Sequence, residues 1–237
     1  MIVNRKPGGL PVIVIVRPTG VGKTDVALEV AKRLQGEVLS ADSRQVYRDL
    51  QVGTAKPKGT WSTTQEGPRY VVEGVVHHLL DHVDPTETYT AGRFSREAKA
   101  VLNEMSRRNV PAILVGGTGL YFRSLVRGLA LLPEGDPMLR KKLAQRAERE
   151  GRVALHQELQ KVDPLAAEAI PPNNIQRVIR ALEVHTITGR PLSALQKEGT
   201  HPAPWDFAWF GLRMDPGLYE KRLKQRCLCL LYTSRCV

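Results

Sequence analysis

Near its amino end the chain carries a continuous apolar, β-branched segment, Val12 to Val16. Such a run is typical of a strand that is buried on both faces of a parallel sheet. It is followed by a glycine-containing turn over residues 17–24 and by helical spacing of apolar residues from Asp25 to Gln35. Gly36 is a natural stop for that helix. The pattern therefore predicts a strand, a glycine turn and a helix.

The next apolar segments repeat this alternation. Glu37 to Ala41 is predicted to be a second strand that ends at Asp42, and Val110 to Val115 a third, after a helix from about Ala91 to Arg108. We therefore predict an α/β fold with a P-loop-type, doubly wound parallel sheet, whose ligands lie at the carboxyl ends of the strands. The segment Lys56 to Gly74, which contains several Gly, Pro and Thr residues, is interpreted as a mobile loop.

From about Asp136 the spacing becomes helical, with no evident strand, and predicts helices over 136–150, 152–161, 164–170, 174–188 and 191–197. Ala208 to Met214 indicates a further strand, and Tyr219 to Leu228 a basic helix. We expect a P-loop α/β core over residues 1–135, an all-helical insertion subdomain over 136–200, and a return to the core over 201–228.

Composition and charge narrow the class of protein. The 237 residues are 42% hydrophobic and 25% charged, as in a soluble globular protein. No segment is apolar over the roughly 18 residues that a membrane-spanning helix needs, and the amino end lacks an apolar signal core. We therefore expect a cytoplasmic protein without membrane association. The formal net charge of +11 favours a polyanionic partner, with an ordinary basic surface as the alternative.

The three cysteines, Cys227, Cys229 and Cys236, all lie near the carboxyl end. We therefore expect neither a disulfide framework nor a cysteine zinc site in the fold. The segment from Cys229 to Ser234 is what the DNA TGTCTCTTATACACATCT encodes, and this DNA resembles a transposon end used in sequencing libraries. We interpret residues 229–237 as a non-native, adaptor-derived tail.

The turn that ends in Gly22, Lys23 and Thr24 is the strongest indication of chemistry. A phosphate-binding loop needs glycines whose amides converge on an anion, a Lys, a hydroxyl for Mg²⁺ and a helix N-terminus. Arg17 stands where the usual motif begins with glycine, so the loop bends without that glycine, or Arg17 is a sequence error or marks an impaired variant. An ordinary glycine turn is the structural alternative. The loop does not identify its phosphate as ATP, although Asp42 after a strand also suits a kinase.

Ordered motifs point to a more specific resemblance. After the phosphate loop come Asp42-Ser43-x-Gln45-x-Tyr47, Gly53-Thr54-Ala55-Lys56-Pro57, His77-His78-Leu79-Leu80-Asp81, Gly116-Gly117-Thr118-Gly119-Leu120-Tyr121 and Asn174-x-Gln176-Arg177-x-x-Arg180-Ala181-Leu182-Glu183. From about Val12 to Arg226 the chain resembles the tRNA dimethylallyltransferase (tRNA isopentenyltransferase) family. Members usually continue through further helices, so we expect a carboxyl-terminal part to be missing. The segment between Lys56 and His77 is also longer than usual.

The resemblance implies transfer of a dimethylallyl group from dimethylallyl diphosphate to the exocyclic amine of the adenosine on the 3′ side of the tRNA anticodon, releasing diphosphate. It implies Mg²⁺ as cofactor and the tRNA anticodon stem-loop and dimethylallyl diphosphate as partners, and we expect a monomer. Lys23 and Mg²⁺ held at Thr24 would stabilise the leaving diphosphate. Asp42 would act as general base, with a helix cap or a Mg²⁺ ligand as the alternative. The target base would enter a pocket between sheet and helical segment.

The resemblance also assigns residues to three groups. The catalytic group is Asp42, Thr118 and Lys23. The diphosphate group is Arg17, Pro18, Thr19, Gly20, Val21, Gly22, Lys23, Thr24, Arg123, Arg222 and Arg226. The tRNA group, which makes the helical insertion a tRNA-binding element, is Asp42, Ser43, Arg44, Gln45, Thr118, Arg140, Gln176, Arg177, Val178, Ile179 and Arg180.

Plainer roles remain open for several of these residues. Thr118 is equally suited to capping the next helix. For Arg222 and Arg226, the alternative is that they are solvated side chains on the surface of their helix. For His77 and His78 we favour packing or hydrogen bonding over a metal site, because adjacent strand residues point in different directions. A P-loop small-molecule kinase or NTPase and an inactive tRNA-binding remnant are the rival functions.

Overall fold

The computed structural model describes residues 11–16, 20–64, 67–130, 132–198 and 202–232. The chain divides into two compact units, an α/β unit (residues 1–127 and 202–237) and a helical unit (residues 128–201). The strands of the α/β unit are β1 (Val12–Val16), β2 (Glu37–Ala41), β3 (Thr60–Thr64), β4 (Gly67–Val72), β5 (Val75–His78), β6 (Ala112–Gly116) and β7 (Phe207–Gly211). Its helices are α1 (Lys23–Leu34), α2 (Ala91–Arg107), α3 (Gly119–Val126) and α9 (Pro216–Tyr232).

The strands form one sheet in the order β3-β4-β5-β2-β6-β1-β7. β1 pairs in parallel with β6 and β7, and β2 pairs in parallel with β5 and β6. β4 pairs antiparallel with both β3 and β5. The parallel core that the sequence predicts is confirmed, with an antiparallel hairpin added at one edge. The interpretation of Lys56 to Gly74 as a mobile loop is wrong, because this segment contains β3 and β4.

Alternate residues of the central strands pack on opposite faces of the sheet, because successive side chains of a strand point in opposite directions. On one face Val14, Leu39 and Leu114 pack in a cluster with residues of α2 and α3. On the other face Ile15, Val38 and Ile113 pack with Ala27 and Ala31 of α1. Helices therefore cover both faces, as the doubly wound prediction requires.

The helical unit contains α4 (Pro137–Glu150), α5 (Arg152–Val162), α6 (Pro164–Ala169), α7 (Ile175–Thr188) and α8 (Leu192–Glu198). These bounds lie within a few residues of the predicted helices. Its core is built from Leu143, Leu155, Leu159, Val178 and Leu182, together with other apolar residues. Within the described ranges, none of the helices in either unit is long and apolar enough to span a membrane.

Candidate active site

A cleft of about 420 Å³ lies in the α/β unit, at the carboxyl ends of the parallel strands. The phosphate-loop turn and α1 contribute one side of its lining, and the ends of β2 and β6 contribute Asp42, Gly116 and Gly117. The segment from Thr54 to Pro57 and two arginines of α9 complete it. The cleft is where ligands bind in open α/β sheets, as the sequence predicts.

Two glycines in the described part of the phosphate loop have left-handed backbones, with φ of +91° at Gly20 and +81° at Gly22. At Gly22 an added Cβ would also lie 3.2 Å from Oδ2 of Asp25. These positions therefore suit glycine, and α1 starts immediately afterwards at Lys23. The N-terminal end of a helix carries a partial positive charge, so this helix end suits an anion. Val21 is buried, and Arg17, Pro18 and Thr19 lie outside the described residues.

Lys23 borders the cleft together with Thr24, Arg222 and Arg226. Burial lowers the pKa of Lys23; the nearby Arg226 acts in the same direction, whereas the negative charge of Asp42 opposes the shift. The two arginines, four residues apart on α9, reach the same cleft, as their spacing predicts. Arg123 is different: it is exposed on α3 and is not among the described residues that line the cleft. Three cationic side chains thus surround one space, which suits a multiply charged anion.

Asp42 follows β2 directly and borders the cleft. Its Oδ1 accepts hydrogen bonds from the backbone N–H groups of Arg44, at 2.9 Å, and Gln45, at 3.3 Å. These bonds fix the turn that follows the strand. The carboxylate is therefore held in place by its own turn, at the strand tip next to the phosphate loop.

β6 approaches β2 closely at this end. A Cβ added at Gly116 would lie 2.2 Å from the carbonyl oxygen of Ala41, so a side chain there requires backbone movement. Two residues later, Oγ1 of Thr118 accepts a hydrogen bond from the backbone N–H of Ser43 at 2.9 Å and donates one to Oγ of Ser43 at 3.2 Å. The Thr118 side chain makes no capping bond to α3. It is therefore bonded to the turn of Asp42.

Gln45 is also bonded within the α/β unit. Its side-chain amide donates to the carbonyl oxygens of Thr54, at 3.1 Å, and Ala55, at 3.0 Å. Gln45 thus ties the turn after β2 to the cleft segment Thr54 to Pro57. Lys56 and Asp81, for which the sequence suggests no role, form a buried ion pair behind that segment, at 2.5 Å. Their presence in two of the ordered motifs is the only signal in the sequence that marks them.

The histidines of the His77-His78 motif make hydrogen bonds, in agreement with the role favoured for them. Nδ1 of His77 lies 3.0 Å from the carbonyl oxygen of Val75, and Nε2 of His78 lies 2.6 Å from Oε2 of Glu37. Glu37 also accepts bidentate hydrogen bonds from the Arg108 guanidinium. Burial alone would raise the pKa of Glu37, but the bonds from Arg108 and His78 outweigh it and lower the pKa to about 2.

Glu183 in the helical unit has a fully buried side chain. It accepts hydrogen bonds from Nε of Arg140 at 2.8 Å, from Nη2 of Arg140 at 3.0 Å, from the backbone N–H of Asp136 at 2.7 Å and from Arg180. Burial alone would raise the pKa of Glu183, and the bonds from both arginines reverse this shift. Arg140 and Arg180, two of the arginines that the resemblance assigns to tRNA, therefore already neutralise a buried carboxylate.

The other residues assigned to tRNA in this unit differ in exposure. Gln176 and Arg177 are exposed at the start of α7, whereas Ile179 is half-buried. Val178 is fully buried in the core of the unit. Within residues 176–180, only Gln176 and Arg177 therefore present exposed side chains to a partner.

Oxygen donors suited to a divalent cation border the cleft. The hydroxyl of Thr24 and the carboxylates of Asp25 and Asp42 are all part of its lining. Mg²⁺ prefers oxygen ligands and often binds through one or two carboxylates together with substrate phosphates. The residues present therefore fit Mg²⁺ in company with a phosphate-containing ligand.

Comparisons with known proteins agree with this geometry. A sequence model described as IPP transferase matches residues 45–233, and one described as Isopentenyl transferase matches residues 10–77. A tRNA dimethylallyltransferase from Thermomicrobium roseum is 45% identical over 217 residues, which are 91% of this chain and 62% of that protein. One from Alkalilimnicola ehrlichii is 42% identical over 223 residues, which are 94% of this chain and 67% of that protein.

Solved structures give the same result. A eukaryotic dimethylallyltransferase acting on tRNA superposes with a TM-score of 0.72 at 30% identity, over 93% of this chain and 52% of that one. The tRNA isopentenylpyrophosphate transferase of Bacillus halodurans gives a TM-score of 0.56 at 37% identity, over 94% of this chain and 66% of that one. The chain thus spans about three fifths of the length of the Thermomicrobium relative. The family match covers most of the sequence, and the chain belongs to the IPP transferase family.

Proposed function

We propose that this chain carries the catalytic core of a tRNA prenyltransferase, which moves a dimethylallyl group from dimethylallyl diphosphate to the exocyclic amine of the adenosine on the 3′ side of the anticodon. One observation carries the proposal: a single cleft joins a cationic phosphate loop to a carboxylate on the adjacent strand tip. The names of the relatives, tRNA dimethylallyltransferases, support the same reaction.

The lining of the cleft suits an allylic diphosphate. Its cationic end, with Lys23, Arg222 and Arg226, matches a diphosphate. The same cleft also has an apolar lining, made by Val38, Ala55, Pro57, Leu80 and Val115. A short hydrocarbon group gains free energy when it leaves water for such a surface. A ligand with one charged and one apolar end is therefore favoured over a purely ionic one.

In the proposed reaction the adenosine nitrogen forms a bond to the allylic carbon while the bond from that carbon to the diphosphate oxygen breaks. The electron pair of the broken bond leaves with the diphosphate, whose developing charge is stabilised by Lys23, the arginines and the amides at the start of α1. The proton lost by the amine passes to Asp42. The two hydrogen bonds that Asp42 accepts from its own turn orient the carboxylate for this role.

Mg²⁺ is part of the proposal as the cofactor. Thr24 would hold it, with Asp25 and oxygens of the diphosphate as further ligands. When bound, it would neutralise charge on the leaving group.

For the tRNA we propose contacts at the exposed Gln176 and Arg177 of α7 and at the turn that starts with Asp42. An Arg or amide side chain at a helix surface suits phosphate contacts and stacking on an unstacked base. The proposed partner is the anticodon stem-loop, and the proposed location is the cytoplasm.

The deciding experiment is incubation of the protein with tRNA, Mg²⁺ and dimethylallyl diphosphate, followed by digestion and mass analysis of the nucleosides. We expect adenosine to gain the mass of one dimethylallyl group. A kinase or NTPase would instead turn over ATP in the absence of tRNA, and an inactive remnant would bind tRNA without any mass gain. Either of these results would contradict the proposal.

A further inference from the structure

Lys56 and Asp81 form an ion pair directly behind the cleft segment Thr54 to Pro57. The Lys56 side chain is 0% exposed and that of Asp81 is 9% exposed. Nζ of Lys56 lies 2.5 Å from Oδ1 of Asp81 and 2.5 Å from the carbonyl oxygen of Tyr47. A lysine is seldom fully buried unless it is paired, and burying two charges costs desolvation free energy. Apolar packing alone therefore does not explain why this pair is present.

Asp81 collects bonds from several parts of the α/β unit. Its Oδ2 accepts from Nε1 of Trp61 on β3 at 3.2 Å, and its Oδ1 accepts from the backbone N–H of Asp49 at 3.3 Å. Its own N–H donates to the carbonyl oxygen of Gln45 at 3.0 Å. The Asp81 carboxylate thus connects Lys56, which follows the cleft residue Ala55, to Trp61 of the edge hairpin and to Asp49 in the chain after β2.

The backbone around the pair is held in unfavourable conformations. Asp49, Ala55, Leu79 and Asp81 have left-handed φ values of +59°, +51°, +55° and +54° although none is glycine. Such conformations persist where the surrounding contacts over-determine them, and they concentrate at ligand clamps and functional sites. Ala55 itself borders the cleft, and its carbonyl oxygen accepts from Gln45.

We propose that Lys56 and Asp81 are positioning residues, which hold the cleft wall Thr54 to Pro57 in the shape that receives the allylic diphosphate. This inference rests on the proposed function for the identity of the ligand. The pair touches no reacting atom in this proposal. It acts through the backbone of the wall, because Lys56 lies between the cleft residues Ala55 and Pro57 in the chain and is anchored behind them.

The test uses Lys56→Met, Asp81→Asn and the double variant, which removes both charges and so leaves no uncompensated buried ion. Arg108→Met is the matched control, because it breaks a partly buried ion pair with Glu37 at the opposite end of β2 from Asp42. For each variant, amide hydrogen exchange of residues 53–56 is measured well below the unfolding midpoint, together with kcat and the KM for dimethylallyl diphosphate.

We expect exchange at residues 53–56 to become about tenfold faster in Lys56→Met, Asp81→Asn and the double variant, and to stay unchanged in Arg108→Met. The KM for the diphosphate should rise about tenfold, with a much smaller change in kcat, because the wall is displaced and the reacting groups are not. Unchanged exchange in a folded double variant would overturn the positioning role, and so would faster exchange with an unchanged KM. If the wild-type protein prenylates no tRNA, the proposed function fails, while the exchange data still decide whether the pair holds the wall.

Discussion

Oγ1 of Thr118 accepts a hydrogen bond from the backbone N–H of Ser43 at 2.9 Å, which ties the end of β6 to the turn after β2. The residue before Ser43 is Asp42, the proposed general base. Thr118 thus orients the turn that carries the carboxylate. The Thr118 hydroxyl thus has a structural partner in this turn, although it makes no capping bond to α3.

Replacing Thr118 with Val should remove that contact while keeping the side chain's shape. We expect kcat for prenyl transfer to fall about 10- to 100-fold, because a small displacement of a catalytic group is costly. Thr118→Ser retains the hydroxyl and should keep most of the activity. Equal losses in the two variants, measured by single-turnover kinetics, would show that the hydroxyl is not the group that matters.

Asp42→Asn should separate binding from chemistry. The amide keeps the size of the side chain but is not basic, so we expect turnover to fall about 10²- to 10⁴-fold. Affinity for tRNA, measured by filter binding, should change little. Asp42→Asn with wild-type turnover would remove Asp42 as the base.

Gly22→Ala should damage the phosphate loop specifically. The left-handed φ of +81° and the Asp25 carboxylate, 3.2 Å from the added Cβ, both oppose the methyl group. Gly74→Ala is the matched control, since Gly74 has a φ of +83° in the β4–β5 turn, but no described residue lies within 4 Å of a Cβ added there. Both variants should lose about 1 kcal/mol of stability or somewhat more. Only Gly22→Ala should also raise the KM for the diphosphate; equal KM values would contradict the phosphate-loop assignment.

Arg177 and Arg140 should respond differently to truncation. Arg177→Ala should weaken tRNA binding, with a reduced salt dependence and little change in stability, because its side chain is exposed. Arg140→Ala leaves the buried Glu183 with one charged partner fewer, so it should lower the thermal midpoint. Thermal melting together with binding titrations at two salt concentrations checks both. The assignment of roles fails if Arg140→Ala weakens tRNA binding without any loss of stability.

Glu37 gives a prediction about pH. Its pKa falls from an ordinary value of 4.5 to about 2 on folding, so the unfolded chain binds more protons between these values. The stabilisation from Glu37 is therefore complete above a pH of about 4.5 and is lost as the pH falls towards 2. Urea unfolding of Glu37→Gln should depend less on pH in this interval. Glu29→Gln, which breaks an exposed pair with Arg33, is the control and should keep the wild-type slope.

The central strands could be predicted from the sequence because they are buried on both faces. Val12 to Val16 is continuously β-branched, and the observed β1 has these bounds. The edge hairpin could not be predicted in this way. Apart from Trp61, the strand Thr60–Thr64 is polar, and β4 begins with Gly67 and Pro68, so the residues of the hairpin resemble those of a loop. The pairing of β4 with β3 and β5 depends on contacts that the hydrophobic periodicity of the sequence does not predict.

The cleft shows a similar division. Lys23 follows the glycine turn and begins α1, and Asp42 follows β2; local sequence patterns predict both positions. Lys56 and Asp81 are 25 residues apart in sequence and meet only in the folded chain. Arg180 and Glu183 lie three residues apart on the same face of α7. That spacing predicts an ion pair on one helix face, and the burial of the glutamate makes it structural.

The parallel pairing of β1 with β7 sets an order for assembly. Val12 lies opposite Phe207, and the whole helical unit is encoded between them. During synthesis the edge of β1 that pairs with β7 therefore stays unpaired until β7 emerges from the ribosome. The helices of the intervening unit can form their local contacts before then. Ending translation before Phe207 would leave the apolar strand β1 at the edge of the sheet, and an exposed apolar edge strand is prone to aggregation.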